Sequence, residues 1–211
     1  MTDLATIAVS SDQPEVDATA ETKGERTRRR ILEMAVDCFG RRGYRATSVS
    51  QIARAASLTQ AASYAYFDNK EALFRAAVDA DVSDLIDEVS DRVQGVPARD
   101  LIPSVIVHAV IALDDHPLTH RVLAGQEPDE VPRLTELPAL RRFSDLLADA
   151  LTEAAERGEV RGDLRPEVLA AGLESLILGL LFSAVQTRGS ASERHQLGVV
   201  EAFDLMLRPP V

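Results

Sequence analysis

The sequence predicts an all-α protein: a three-helix N-terminal head containing a helix-turn-helix, followed by a larger helical body. Three observations predict it. Apolar residues recur at i, i+3, i+4 and i+7 along much of the 211-residue chain. A composition that is 45% apolar, without tryptophan and with few aromatics, fits a protein built from leucine- and alanine-rich helices. No segment alternates apolar and polar residues between hairpin turns, and even the β-branched run 105–111 lacks that pattern and reads as helix.

The elements follow in order. Residues 1–24 hold five acids, Pro14 and Gly24 but no periodic apolar positions, so a disordered acidic tail is expected. A first helix over 26–42 buries Ile31, Leu32, Ala35, Val36 and Phe39, and Gly43 stops it. Thr47 or Ser48 can cap the second helix, Ser48 and Gln51 have the spacing of a capping box, and Val49, Ile52, Ala53 and Ala56 form one apolar face. After the turn at Ala56, Ser57 and Leu58, Thr59 can cap a third helix running to Tyr66. A long helix from Lys70 carries Leu73, Phe74, Ala77, Val78, Val82, Leu85, Ile86, Val89 and Val93, and ends at Gly95 and Pro97. Further helices are expected over 100–115, 118–124, 139–157, 166–187 and 191–207, with Pro166 suited to a first helical turn. The proline-rich stretch 126–138 reads as a loop.

Charge is partitioned along the chain. The total is −11, yet residues 25–75 hold ten Arg/Lys against five acids, net +5, while the first 24 residues carry −4 and the remainder −12. A basic head on an acidic body is the footprint of a polyanion contact surface. The lone Cys38 allows no internal disulfide and reads as core packing. Asp3 stands where a secretory leader would be basic, so a cytoplasmic location is expected. The apolar run 168–185 nears membrane-spanning length, but Glu174 interrupts it and a helix buried between subunits is the expected reading, with no membrane partner. The four histidines lack metal-ligand spacing, and no nucleophile elbow or phosphate loop is present, so neither a metal, a cofactor nor an enzyme activity is expected.

The head carries the residues that suit double-stranded DNA. Thr47, Tyr64, Tyr66 and Lys70 offer hydroxyls and an ammonium to phosphates, and the helix starts capped by Ser48 and Thr59 offer backbone amides. Arg28 and Arg29, with Arg30, open the first helix, where the dipole disfavours cations and an external anion would be welcome; Arg30 could instead pair with Glu33 or Asp37. Base reading falls to Gln60, Ala61, Ala62 and Ala65, with Ser50 nearby: the glutamine can pair with adenine, while the alanines give methyl contacts and close approach.

These motifs resemble the tetracycline-repressor (TetR) family. Gly43-Tyr44, Thr47-Ser48-Val49, Ile52-Ala53, Tyr64-Ala65-Tyr66-Phe67, Lys70-Glu71 and Leu73 follow the family's order and spacing. Ser57 stands where the family turn usually has glycine, and Ser63 replaces the usual leucine; the Ser63 hydroxyl could bond back to the Thr59 carbonyl. The resemblance implies a DNA-binding domain over 25–70 and an effector-binding and dimerisation domain over 71–211. It implies a homodimeric transcriptional regulator, a repressor released from a palindromic operator by a small molecule. Val107, His108, Ile111, Leu123, Phe143, Leu147 and Gln186, with Val105, are the expected pocket residues, suggesting an apolar or amphipathic effector. Gly172, Leu176, Gly179 and Leu180, with Val200, Phe203 and Leu207, are the expected dimer contacts, forming a four-helix bundle with the partner. A second reading stays open: a small-molecule-binding or interaction module with a degenerate helix-turn-helix, separable from the first by a salt-dependent DNA shift.

Overall fold

A computed structural model of the chain describes residues 22–127, 131–187 and 193–209; the predicted acidic tail lies outside them up to residue 21. Nine α-helices are described: α1 Lys23–Ala46, α2 Val49–Ala55, α3 Gln60–Tyr64, α4 Lys70–Arg92, α5 Ala98–Ala112, α6 Pro117–Leu123, α7 Pro138–Glu156, α8 Pro166–Gln186 and α9 Glu193–Leu207. The expected loop 126–138 contains a 3-10 turn, Val131–Glu136. No strand occurs among the described residues, and 105–111 is helical.

Helix α1 begins earlier than periodicity suggests, because Thr22 and Glu25 form a reciprocal capping box. The last residues of the expected tail therefore belong to this helix. Gly43 breaks α1 without ending it: at φ 82 and ψ 167 it turns the backbone, and one more turn runs on to Ala46. A side chain there is strained by the positive φ, and its Cβ would stand 2.6 Å from an Arg121 guanidinium nitrogen and 2.7 Å from Glu127 Oε1, so both of those groups would have to move. One turn earlier, a Cβ on Gly40 would lie 2.9 Å from the Pro117 ring, so α1 and α6 cross there almost backbone to backbone.

Helix α4 is the axis of the molecule, packing on α1 near the head and on α5, α6 and α7 in the body. Its stripe of Leu73, Phe74, Ala77, Val78, Val82, Leu85, Ile86 and Val89 is buried as the periodicity predicts. Phe74 meets Phe39 and Tyr44 edge-on, each at 4.9 Å between ring centroids, and Cys38 is core beside them. Burial of a side chain such as Phe39 or Phe74 stabilises by about 3 kcal/mol.

One acid interrupts that stripe. Asp81 is 3% exposed, and its Oδ2 accepts from the Thr119 backbone N–H at 2.6 Å and from the Thr119 hydroxyl at 2.7 Å. His116 completes the cluster, with Nδ1 3.5 Å from Asp81 Oδ1 and Nε2 3.2 Å from Glu88 Oε2. Hydrogen bonding to Asp81 raises the His116 pKa above its ordinary value; burial opposes this and Glu88 adds to it. A pKa raised in the folded state means that the stabilisation is complete below the unfolded imidazole pKa and disappears as pH climbs through the folded one. Urea midpoints should fall as pH rises above about 6.5, the ordinary imidazole value. His116→Gln should flatten that slope, and an unchanged slope would assign it to another group.

The body closes with α8 against α5, α6 and α7, and α9 against α5. Two expected dimer residues are placed differently: Phe203 and Leu207 are each 2% exposed and face the protein's own core, because α5 offers α9 an apolar groove. The opposite face of α8 is open, with Gly172 and Gly179 at the surface and Leu176 47% exposed. Leu180 is half-buried and Val200 is 45% exposed.

Candidate nucleic-acid interface

The head is assembled by local signals. Ser48 Oγ accepts from the Gln51 N–H at 3.3 Å while Gln51 Oε1 accepts from the Ser48 N–H at 2.8 Å, closing the capping box that starts α2. Thr59 Oγ1 accepts from the Ala62 N–H at 3.2 Å and starts α3. Asn69 Oδ1 does the same for α4, accepting from Ala72 at 2.8 Å. The turn between α2 and α3 takes its left-handed residue at Ser57, φ 55, where glycine would avoid a cost of about 1 kcal/mol.

Ser48, Thr59, Gln60, Ala61, Tyr64 and Ala65 are exposed, and Ser50, Ala62, Tyr66 and Lys70 are half-buried. Helix α3 ends at Tyr64, shorter than expected, and Tyr66 and Phe67 follow in a turn that buries Phe67 against the core. Thr47 departs from its expected role: it is 2% exposed and its hydroxyl donates to the Cys38 carbonyl at 3.1 Å, so it fastens α1 to the start of α2 and offers a phosphate nothing. Arg28 and Arg29 are exposed; the Arg28 guanidinium lies 5.2 Å over the Phe67 ring and Arg29 reaches Glu33 at 3.7 Å. Arg30 makes neither expected pair, since Glu33 is taken by Arg29 and Asp37 by Arg41. Arg45, exposed three positions before the Ser48 cap, is a cation the sequence reading passed over.

Lys70 is held rather than free. Its Nζ sits 4.2 Å over the Tyr44 ring, and burial lowers the ammonium's pKa while the Glu127 carboxylate opposes the shift.

The Ser63 back-bond to Thr59 does not form. Ser63 is 1% exposed and its hydroxyl finds no partner among the described residues, a buried polar group left unsatisfied where the family has a leucine. Ser63→Ala should therefore raise the stability of the head by about 1 kcal/mol without touching DNA affinity. Calorimetry decides it: a lower melting temperature would show that the hydroxyl is satisfied after all.

In the body, α4, α5, α6, α7 and α8 surround a cavity of about 70 Å³. Leu123 and Phe143, both expected pocket residues, line it, as does Val105. Val107 and Ile111 do not: they are 54% and 56% exposed, because α5 turns Val105, Ala109 and Ala112 inward instead. Leu147 is buried one turn away, Gln186 is exposed at the end of α8, and His108 is half-buried with Nδ1 unpartnered. Most of the wall comes from residues first assigned to plain core, including Val78, Val82, Leu85 and Val89 of α4. The wall is hydrocarbon apart from Thr119, whose hydroxyl is already given to Asp81.

The profile of the bacterial regulatory proteins, tetR family, matches residues 31–77, spanning α2, α3 and the ends of α1 and α4 that frame them. Relatives extend the likeness beyond the head. The HTH-type transcriptional repressor KstR2 of Rhodococcus jostii is 29% identical over 163 residues, 74% of this chain and 77% of its own. The HTH-type transcriptional regulator UidR of Escherichia coli is 22% identical over 166 residues, 76% of this chain and 83% of its own. Among solved structures, the regulator FadR of Bacillus subtilis, in complex with stearoyl-CoA, superposes with a TM-score of 0.59 at 20% identity, covering 84% of this chain and 95% of its own. Sequence motif, local capping, fold and relatives agree: residues 31–77 carry the DNA-binding region of the bacterial regulatory proteins, tetR family, and the chain is a DNA-binding transcriptional regulator similar to them over most of its length.

Proposed function

We propose that the protein is a homodimeric repressor, acting in the cytoplasm, whose two heads read a palindromic operator and release it when an apolar or amphipathic small molecule enters the body. The observation that carries the ligand class is the hydrocarbon cavity beside α4. None of the body arginines that could anchor an anion lines it: Arg121 pairs with Glu127, Arg142 with Asp87, and Arg141 donates to the Glu136 carbonyl. FadR, of the same fold, holds a molecule with a long acyl chain, which is in keeping with an apolar tenant. An effector acts here through its differential affinity for the DNA-competent and DNA-incompetent spacings of the heads. A shift of α4 is the expected route, since its first turn carries Lys70 and its middle lines the cavity.

Within the head, phosphate contact is assigned to Lys70, Tyr64, Tyr66 and the amides at the starts of α2 and α3, and base reading to Gln60 with Ala61, Ala62 and Ala65. Operator fragments selected from genomic DNA by the purified protein provide the substrate for the test. Lys70→Ala should weaken specific and mixed-sequence DNA alike and lower the salt slope by about 0.9 for each phosphate that is no longer neutralised. Gln60→Ala should instead relax discrimination at one base pair of each half-site by about 1 to 3 kcal/mol. If every operator position stays as selective as before, Gln60 is not the reader.

A further inference from the structure

The head and body are joined by a carboxylate that is out of place on electrostatic grounds. Glu127 is 8% exposed, follows α6, and lies against the end of α1 in the basic head. Its Oε1 accepts from the Tyr44 backbone N–H at 3.0 Å and from Arg121 Nε at 3.1 Å. Tyr44 is the residue after the Gly43 break, and the absence of a side chain at Gly43 is what lets the Arg121 and Glu127 pair come so close. The Tyr44 ring in turn carries the Lys70 ammonium at 4.2 Å. At the other end, Arg121 belongs to α6, whose Thr119, Val122 and Leu123 are one wall of the cavity. A continuous set of contacts therefore runs from that wall through Arg121 and Glu127 to Tyr44 and Lys70.

We propose that Glu127 is a positioning residue for DNA binding, which carries the placement of α6 to the Lys70 ammonium through the backbone and ring of Tyr44. The cavity end of this route rests on the reading that an effector occupies the cavity; the DNA end does not. Two physical features recommend it. The acceptor is a single oxygen shared by an amide of the head and a guanidinium of the body, so a movement of α6 either drags the amide or breaks a buried hydrogen bond. Lys70 reaches Glu127 by charge as well as through Tyr44, since the carboxylate is the group that opposes the burial shift of the ammonium. This route is separate from a displacement of α4 along its axis.

Simple electrostatics and positioning predict opposite signs, which makes the experiment decisive. Removing an acid near the DNA surface should tighten binding if charge alone matters. If Glu127 positions Lys70, Glu127→Ala should weaken binding of a fluorescein-labelled mixed-sequence duplex. The expected weakening is about two- to thirty-fold, the range that coupling energies of this kind span. The salt slope should fall as it does in Lys70→Ala, and adding Glu127→Ala to Lys70→Ala should change nothing more. Glu127→Gln, which keeps an acceptor for the Tyr44 N–H, should recover most of the affinity, and also answers for any failure of the alanine variant to fold. Tighter binding, or an equal weakening in both Lys70 backgrounds, overturns the proposal. A third arm separates it from the effector reading: Ala109→Leu fills the cavity with an isobutyl group and should alter duplex affinity in the natural protein but less in Glu127→Ala. An equal change in both backgrounds overturns the relay while sparing the effector reading. No change in either, with Lys70 and Glu127 still coupled, removes the cavity from the control of DNA binding and leaves Glu127 as a positioning residue.

Discussion

Gly179→Arg is expected to turn the dimer into monomers and, with the second head gone, to lower operator affinity by about 10²- to 10⁴-fold, the factor that linking two binding modules supplies. The expectation rests on the open face of α8. A Cβ built at Gly179 or Gly172 meets nothing within 4 Å, so an arginine is accommodated in the single chain without a clash. In a helix interior it is also about 1 kcal/mol better than glycine. Failure to fold is therefore not the expected cause of weaker binding. In the proposed dimer, the arginine would remove the close approach of a second α8 across the surface that Val168 and Leu176 leave apolar, 55% and 47% exposed. Light scattering reads the result directly, and a variant that keeps twice the chain mass would place the interface elsewhere.

The second large effect is on the fold itself. Asp81→Ala should cost about 3 to 5 kcal/mol, because it strands a buried backbone N–H, a buried hydroxyl and the buried His116 ring, which share one carboxylate. Against a total stability of about 5 to 15 kcal/mol this is severe. Urea titration at neutral pH measures it. Asp81→Asn keeps an acceptor for Thr119 but loses the charge facing His116, so it should fall between the natural protein and the alanine variant. A destabilisation of under about 1 kcal/mol for Asp81→Ala would mean that solvent reaches the site and replaces the carboxylate.

How much of this was legible in the sequence depended on distance along the chain. The head was legible because its instructions are local: Ser48 with Gln51 and Thr59 with Ala62 are partners three residues apart, so their capping roles stand in the sequence itself. The same rule applies to Thr22 and Glu25, three residues apart at the start of the first helix. The role of Asp81 could not be read, since an acid among Val78, Val82 and Leu85 looks like a flaw until Thr119, 38 residues on, supplies its donors. The Tyr44 to Glu127 bond spans 83 residues and has no local signal at all. The pocket residues failed for another reason. Apolar side chains surround α5, and periodicity cannot say which stripe faces inward when more than one is hydrophobic; packing chose Val105 and Ala109 and left Val107 and Ile111 outside. The same ambiguity in α9 turned Phe203 and Leu207 toward the core and left Val200 at the surface.

The cavity of about 70 Å³ is smaller than ordinary ligand sites of about 300 Å³ or more. A tenant of that usual size must make its own room, parting α8 from the α5, α6 and α7 it packs on, so its measured affinity is its intrinsic affinity scaled by the rare population of opened molecules. The threshold at which such a sensor responds is then set less by contacts with the ligand than by the cohesion of the helices that have to separate. Ile177→Val or Leu181→Ala, trimming that seam, would lower the work of opening and tune the set point without altering a single polar group in the wall.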